Sequence, residues 1–132
     1  MILVLGGTRD SAELIRLLAS RGVRVAASAV TSYGATLAAS AGAEPVLQGA
    51  LDAEAMARVL EETGARVVVD ATHPYAARAS ENAAEACSRM GVACIRLERP
   101  ATPLPPHPLV HRAAGPPSAA RLAAELAAGR GG

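Results

Sequence analysis

Short apolar runs alternate along the chain with segments whose apolar residues recur at helical spacing. The first run covers residues 1–5, and Leu14, Leu17 and Leu18 follow at the spacing of one helix face. Comparable strand and helix patterns repeat through the first hundred residues. The pattern predicts strands at residues 1–5, 23–29, around Val46, 66–70 and 92–97, a loop at 31–34, and further helices at 35–41, 52–63 and 76–90.

The fourth predicted strand contains three consecutive valines, Val67 to Val69. A parallel strand that helices cover on both faces is typically apolar at consecutive positions, whereas a half-exposed strand alternates. Five strand and helix units of this kind predict an α/β fold with a doubly wound, Rossmann-like, five-stranded parallel sheet.

Prolines dominate residues 100–108, and because proline lacks an amide donor this segment is predicted to be an extended linker after a first domain at 1–99. Beyond it we expect a brief strand at 109–111 and a helix from Ser118 to Ala128. One strand and one helix cannot bury a core, so they must pack on the first domain, associate with another chain or remain mobile. We interpret residues 109–132 as the truncated start of a second α/β domain, through which the chain could self-associate.

Composition and charge narrow the classes of function. The chain has 132 residues, 51% of them hydrophobic, and a formal net charge of +1 that is scattered along it, so no basic surface for nucleic acid or an anionic membrane is predicted. No apolar stretch approaches the roughly 20 residues of a membrane helix, which indicates a cytoplasmic protein that acts on small molecules. Cys87 and Cys94 form no CxxC motif, so we expect reduced thiols and no metal site.

The turn after the first predicted strand has the sequence Gly6-Gly7-Thr8. Small residues there let backbone amides approach a phosphate, which the amino terminus of the following helix also attracts. Thr8 adds a hydroxyl, and Arg9 could pair with a phosphate or simply be solvated. The full GxGxxG fingerprint is missing, so a plain tight turn is the alternative. Together these features predict that residues 1–99 are a dinucleotide-binding domain.

The loop after the second predicted strand bears on the choice of cofactor. NAD-binding domains usually place a carboxylate here for the ribose hydroxyls, whereas this chain offers Ser28, Thr31 and Ser32, which favours NADPH. The two aromatic residues of the chain, Tyr33 and Tyr75, fall in loops after the second and fourth strands. We expect their rings to contact ligands, although a tyrosine can also cover a helix edge and bond locally.

The segment after the fourth predicted strand, residues 70–75, is the densest polar cluster of the chain. Asp70 and Thr72 are expected to help hold the cofactor, with capping of the next helix as the alternative. His73 is a candidate catalytic group because histidine titrates near neutral pH and can transfer a proton or donate to an anion.

Four motifs in this order and spacing resemble the precorrin-6A reductase family (CobK/CbiJ): ILVLGGT at 2–8, TSYG at 31–34, DATHPY at 70–75 and LERP at 97–100. The resemblance covers residues 1–100 closely and the tail loosely. It implies two α/β domains with the active site between them, and reduction of a double bond of the tetrapyrrole precorrin-6A by hydride from NADPH, or from NADH for some cobalt-containing substrates.

The resemblance also implies roles for individual residues. The GGT and TSYG segments hold the dinucleotide, and the DATHP segment faces the cleft. Since the substrate carries many carboxylates, Arg78 and Arg99 are candidate anchors through bidentate pairing. The combined site prediction is cofactor binding by Gly6, Gly7, Thr8, Arg9, Thr31, Ser32, Tyr33, Gly34, Asp70 and Thr72, catalysis by His73 and Tyr75, and substrate binding by His73, Arg78 and Arg99.

Two other classes of function match parts of the sequence. A non-catalytic dinucleotide-binding or sensor domain would keep the phosphate loop without the half that closes over the substrate. An enzyme like the short-chain dehydrogenases needs a Tyr-x-x-x-Lys pair, which a chain without lysine does not have.

Overall fold

The computed structural model describes residues 1–73, 76–97, 110–113 and 115–129, which form an α/β fold of six strands and five helices. The strands are β1 (Ile2–Gly6), β2 (Val25–Ala29), β3 (Val46–Gln48), β4 (Val67–Asp70), β5 (Ala93–Leu97) and β6 (Val110–Ala113). The helices are α1 (Arg9–Ser20), α2 (Ser32–Ala41), α3 (Ala53–Thr63), α4 (Ala77–Met90) and α5 (Pro116–Gly129).

All six strands run parallel in the order β3-β2-β1-β4-β5-β6. Strand β1 lies at the centre, where Ile2 is opposite Val25 of β2 and Val67 of β4. The carboxyl ends of all the strands therefore meet at one edge of the sheet. The predicted doubly wound α/β fold is confirmed, with one strand more than the five predicted.

Helices cover both faces of the sheet, which explains why the central strands are apolar at consecutive positions. On one face, Ile2 and Val4 of β1 pack with α1, α2 and α5, where Leu14, Ile15 and Leu18 are buried. On the other face, the alternate residues of β1 pack with α3 and α4. The buried residues of that second face include Leu3, Leu5, Met56, Leu60, Ala83 and Ala86.

Two helices begin two or more residues earlier than the sequence predicted. Helix α2 begins at Ser32 and not at residue 35, because the Thr31 side chain accepts a hydrogen bond of 3.0 Å from the Gly34 amide and so caps the helix. Glycine is a poor helix former, which is why the pattern placed residues 31–34 in a loop. Helix α5 begins at Pro116 and not after Ser118, since proline is well suited to a first helical turn.

The tail of the chain extends the first sheet, which corrects the prediction that it starts a second domain. Strand β6 pairs with β5 in parallel, with Ala113 opposite Leu97. Helix α5 packs against α1 through a face of small residues, and small side chains allow two helices to approach closely. The buried alanines of that face are Ala119, Ala120, Ala123 and Ala127. The predicted linker at 100–108 lies outside the described residues.

No helix in the described part of the chain combines the length and the apolar character needed to cross a bilayer. Over the same residues, no group of three or more histidine, cysteine or acidic side chains is arranged to hold a metal ion.

Cys87, on the buried side of α4, interacts with Cys94 of β5. Both are buried and neither forms a disulfide, as the sequence predicted. The hydrogen bond with Cys94, followed by burial, raises the pKa of the Cys87 thiol well above its ordinary value. Since the thiolate is the reactive form, this arrangement makes Cys87 a packing residue.

We therefore expect neither thiol to react with an aromatic disulfide reagent in the folded protein at pH 8. The raised pKa leaves almost no thiolate on Cys87 at that pH, and burial of both side chains blocks access. Absorbance of the released thiolate would show both cysteines reacting only after guanidinium is added. Labelling of the native protein at the rate of free cysteine would contradict this account.

Candidate functional site

The candidate site lies at the carboxyl edge of the sheet, where β1 is flanked by β2 and β4. The helix after β1 lies on one face of the sheet and the helix after β4 on the other. The loops after these two strands therefore leave the edge in opposite directions and open a crevice between them, which is where open α/β sheets bind ligands.

The loops after β1 and β2 approach each other backbone to backbone. A Cβ on Gly34 would lie 2.7 Å from the Cα of Gly7, and Gly7 itself has a φ of +115°, which disfavours any other residue. A Cβ on Gly6 would overlap the side chain of Ser11. The structure thus brings the predicted residues Gly6, Gly7 and Gly34 together, and close packing explains Gly6 and Gly34 whereas the positive φ explains Gly7.

Thr8 begins α1 with a reciprocal cap. Its hydroxyl oxygen accepts from the Ser11 amide at 3.1 Å, while the Ser11 hydroxyl bonds the backbone of Thr8. The Thr8 hydroxyl also lies 3.4 Å from the carbonyl oxygen of Ala71, to which it donates. The cap aims the positive end of the α1 dipole at the crevice and ties the loop after β1 to the loop after β4.

Ser11 was not among the predicted site residues, although it organises the loop at residues 6–8, which we call the glycine loop. Its hydroxyl accepts from the amides of Gly7 at 3.1 Å and Thr8 at 3.0 Å and donates to the Thr8 carbonyl at 2.7 Å, and the residue is 2% exposed. Two of the amides expected to meet a phosphate are therefore already bonded. A Thr-x-x-Ser spacing at a helix start resembles the capping box, and that signal could have identified Ser11.

At the end of β2, three predicted residues lie in the cap and first turn of α2. Thr31, Ser32 and Tyr33 are all exposed, and Tyr33 is 67% exposed. Ser28 is buried within β2. No carboxylate is present at positions 28–33, so the exposed groups are hydroxyls and the positive end of a second helix.

Beneath the loop after β4, Asp70 and Thr72 are held by Arg96 of β5. The Asp70 carboxylate is 3.0 Å from Nη1 of Arg96, and the same oxygen accepts from the Thr72 amide at 3.1 Å and hydroxyl at 2.6 Å. Asp70 is 2% and Arg96 5% exposed. The structure therefore places the Asp70 side chain below the crevice, where its bonds are internal.

Arg96 was missed by the sequence analysis, although a charge inside the apolar run of β5 is itself a signal, because buried charges need partners. Within the described residues its Nε is buried and has no hydrogen-bond partner. Leaving such a donor unsatisfied costs about 1–3 kcal/mol.

A cleft of about 320 Å³ lies beside the glycine loop, on the face covered by α3 and α4. Its walls are mostly apolar, with polar groups from Ser28, Thr72, Arg78 and Asn82. Asn82 also donates to the carbonyl of Leu51 at 3.4 Å, which joins α4 to the segment after β3. Arg78 was predicted to lie near this site, whereas the segment at residues 49–51 was not.

The other predicted residues lie near the rim or outside the described part of the chain. His73 is exposed at the end of the loop after β4, where its carbonyl accepts from the Ala76 amide at 2.8 Å. Arg9 is exposed in the first turn of α1. Tyr75 and Arg99 lie outside the described residues.

Replacing Ser11 by alanine should lower the free energy of unfolding by about 1–3 kcal/mol, because the part-buried Gly7 and Thr8 amides would both lose their acceptor. Ser20→Ala on the same helix is the matched control, since its exposed hydroxyl donates to the Leu17 carbonyl, and it should change stability by about 0.5 kcal/mol or less. Urea unfolding followed by circular dichroism measures both. Equal effects would mean that Ser11 does not support the loop.

Known proteins similar to this chain agree with this architecture. A curated cobalt-precorrin-6A reductase of Methanothermobacter thermautotrophicus is 40% identical over 100 residues, covering 75% of this chain and 33% of that protein. A solved structure of the precorrin-6A reductase CobK matches at 34% identity with a TM-score of 0.58, covering 81% of this chain and 40% of that one. The chain thus spans well under half the length of these relatives.

A mycobacterial protein solved in complex with NADPH also matches, with a TM-score of 0.57 over 95% of this chain and 43% of that one. Its 21% identity shows a shared fold and nothing more. The family model of the precorrin-6x reductases, CbiJ/CobK, matches residues 1–131. Because that match extends over nearly the whole sequence, the chain belongs to the precorrin-6x reductase family CbiJ/CobK.

Proposed function

We propose that this chain binds a nicotinamide dinucleotide at the carboxyl edge of its sheet and takes part in the reduction of precorrin-6A, or its cobalt form, to the 6B product. The observation that carries the proposal is the position of the glycine loop and the capped start of α1. They lie where the chain leaves β1 and β4 in opposite directions, beside a cleft of about 320 Å³. Membership of the reductase family supports the reaction.

Two regions at the carboxyl edge of the sheet suit two different parts of a dinucleotide. The pyrophosphate would lie at the amino terminus of α1, where the helix dipole and the first-turn amides favour an anion. Ser11 holds the Gly7 and Thr8 amides, so its role is to keep the loop in shape before the ligand arrives. The mostly apolar cleft suits the adenosine half, with the segment at 49–51 and Asn82 on its walls.

The reduction does not require the protein to form a covalent bond with the substrate. The nicotinamide supplies hydride when it is bound, and the chain must hold the ring against the macrocycle and exclude water. His73 is exposed at the rim after β4, where it can donate a hydrogen bond to an anionic substrate or transfer a proton. Arg78 is exposed in the first turn of α4 and can pair with a substrate carboxylate.

Replacing Thr8 by aspartate should abolish dinucleotide binding without loss of fold. Aspartate is as good a helix cap as threonine, so α1 keeps its start, but its charge opposes a pyrophosphate at that position. Calorimetric titration with NADPH and NADH, and thermal unfolding of the same samples, separate the two effects. Thr8→Ser is the control and should bind like the parent chain.

Parent affinity in Thr8→Asp would refute the placement of the pyrophosphate. Parent binding of NADPH without turnover of precorrin-6A would instead favour a dinucleotide-binding or sensor domain.

We further propose a preference for NADPH over NADH. Thr31 caps α2 at the end of β2, where the exposed hydroxyls and the positive end of that helix suit a 2′-phosphate. NADH remains a usable donor because the rest of the edge recognises features common to both cofactors.

Thr31→Asp should reverse this preference. The new carboxylate keeps the cap of α2, accepts hydrogen bonds from the ribose hydroxyls of NADH and repels the 2′-phosphate of NADPH. We expect the ratio of NADPH to NADH affinity to fall by about a hundredfold, which corresponds to roughly 2.8 kcal/mol. Fluorescence titration with both cofactors gives the ratio, and Thr36→Asp, an exposed change further along α2, is the control. An unchanged ratio would exclude this end of β2 from the 2′-phosphate site.

A further inference from the structure

Arg96 is a buried charge, and its hydrogen bonds to described residues all lead to the rim of the crevice. Its Nη1 is 3.0 Å from the Asp70 carboxylate, 3.2 Å from the Thr72 carbonyl oxygen and 3.1 Å from the Thr72 hydroxyl. A contact of 3.5 Å to the carbonyl of Asp70 completes the set. One guanidinium nitrogen on β5 therefore holds both Asp70, at the end of β4, and Thr72, two residues further along the chain.

Every polar atom of Thr72 takes part in a hydrogen bond. Its amide and hydroxyl both donate to the Asp70 carboxylate, and its carbonyl accepts from Arg96. On the other side of the segment, the carbonyl of Ala71 accepts from Thr8 at the start of α1. Residues 70–72 are thus fixed between β5 and the start of α1 after the glycine loop, and Thr72 forms part of the cleft wall.

Packing alone does not account for a charged pair at this position. A buried ion pair gives up the hydration of both charges, and well-packed apolar residues of similar volume often stabilise a fold as well. The best-supported advantage of such a pair is that it specifies one conformation among several. Here the conformation specified is the direction in which the chain leaves β4 toward His73.

We propose that Arg96, acting through Asp70 and Thr72, is a positioning residue for the bound dinucleotide. It makes the wall formed by Thr72 and the backbone leading to His73 rigid before the ligand arrives, which lowers the ordering cost of binding. Neither Arg96 nor Asp70 touches the ligand, since both side chains are buried. This inference rests on the dinucleotide site proposed above.

The test compares affinity for NADPH with stability in the same variants of the full chain. Arg96→Met keeps much of the volume and removes every donor, and we expect NADPH to bind about tenfold more weakly, a loss equivalent to one hydrogen bond. Arg96→Lys retains a donor and the charge and should recover affinity to within about threefold of the parent chain. Calorimetry gives the affinities, and circular dichroism confirms that each sample is folded at the temperature used.

Two controls separate positioning from general destabilisation. Leu60→Ala removes buried packing on α3, away from the carboxyl edge, and should lower stability while leaving NADPH affinity unchanged. Asp70→Asn keeps an acceptor for Thr72 but loses the ion pair, and we expect affinity to fall several-fold. This variant decides the question if Arg96→Met does not fold.

The outcomes distinguish this inference from the proposed function. If the parent chain binds neither NADPH nor NADH, the dinucleotide site itself is wrong and the role of Arg96 falls with it. If the parent chain binds and folded Arg96→Met or Asp70→Asn binds equally well, only the positioning role is overturned. A loss in Leu60→Ala equal to that in Arg96→Met would likewise show that stability alone sets affinity.

Discussion

The parallel pairing of β4 with β1 is the constraint on which the rest of the structure depends. The chain must cross from β3 at one edge of the sheet to β4 beside β1, and α3 makes that crossing on the face opposite α1. The helices after β1 and β4 consequently diverge, and a crevice opens between their first turns. Because these two helices leave the sheet edge in opposite directions, they set the positions of the glycine loop, the segment at 70–73 and the cleft.

Most polar groups at the crevice floor are satisfied within the protein. Ser11 bonds the amides of the glycine loop, and Arg96 bonds the segment after β4. Thr8 links the two parts through the carbonyl of Ala71. The hydroxyls and ring at the end of β2 remain exposed, so the edge combines a rigid floor with a rim that can meet a ligand. Such preorganisation reduces the ordering cost that binding would otherwise carry.

The sequence predicted the strands and most helices because their signals are local. Three consecutive valines identified a strand buried on both faces, and the helix predicted at 52–63 matches α3 to within one residue. The start of α2 was misplaced because Gly34 looks like a helix breaker, and its presence reflects contact with Gly7, a residue distant in the sequence. The sixth strand was assigned elsewhere because nothing local specifies which edge a strand joins.

For the candidate site too, some features follow from the sequence alone and others depend on the tertiary structure. By itself the sequence determined the residues that follow the strands and the family to which their motifs belong, because spacing and residue type are properties of the chain. Only the tertiary structure decided that Asp70 and Thr72 turn inward toward Arg96 and that Ser11 occupies the amides of the glycine loop. Whether a polar side chain faces a ligand or a buried partner depends on which residues the fold brings within hydrogen-bond distance, and the partner of Asp70 lies on the neighbouring strand, 26 residues further along the chain.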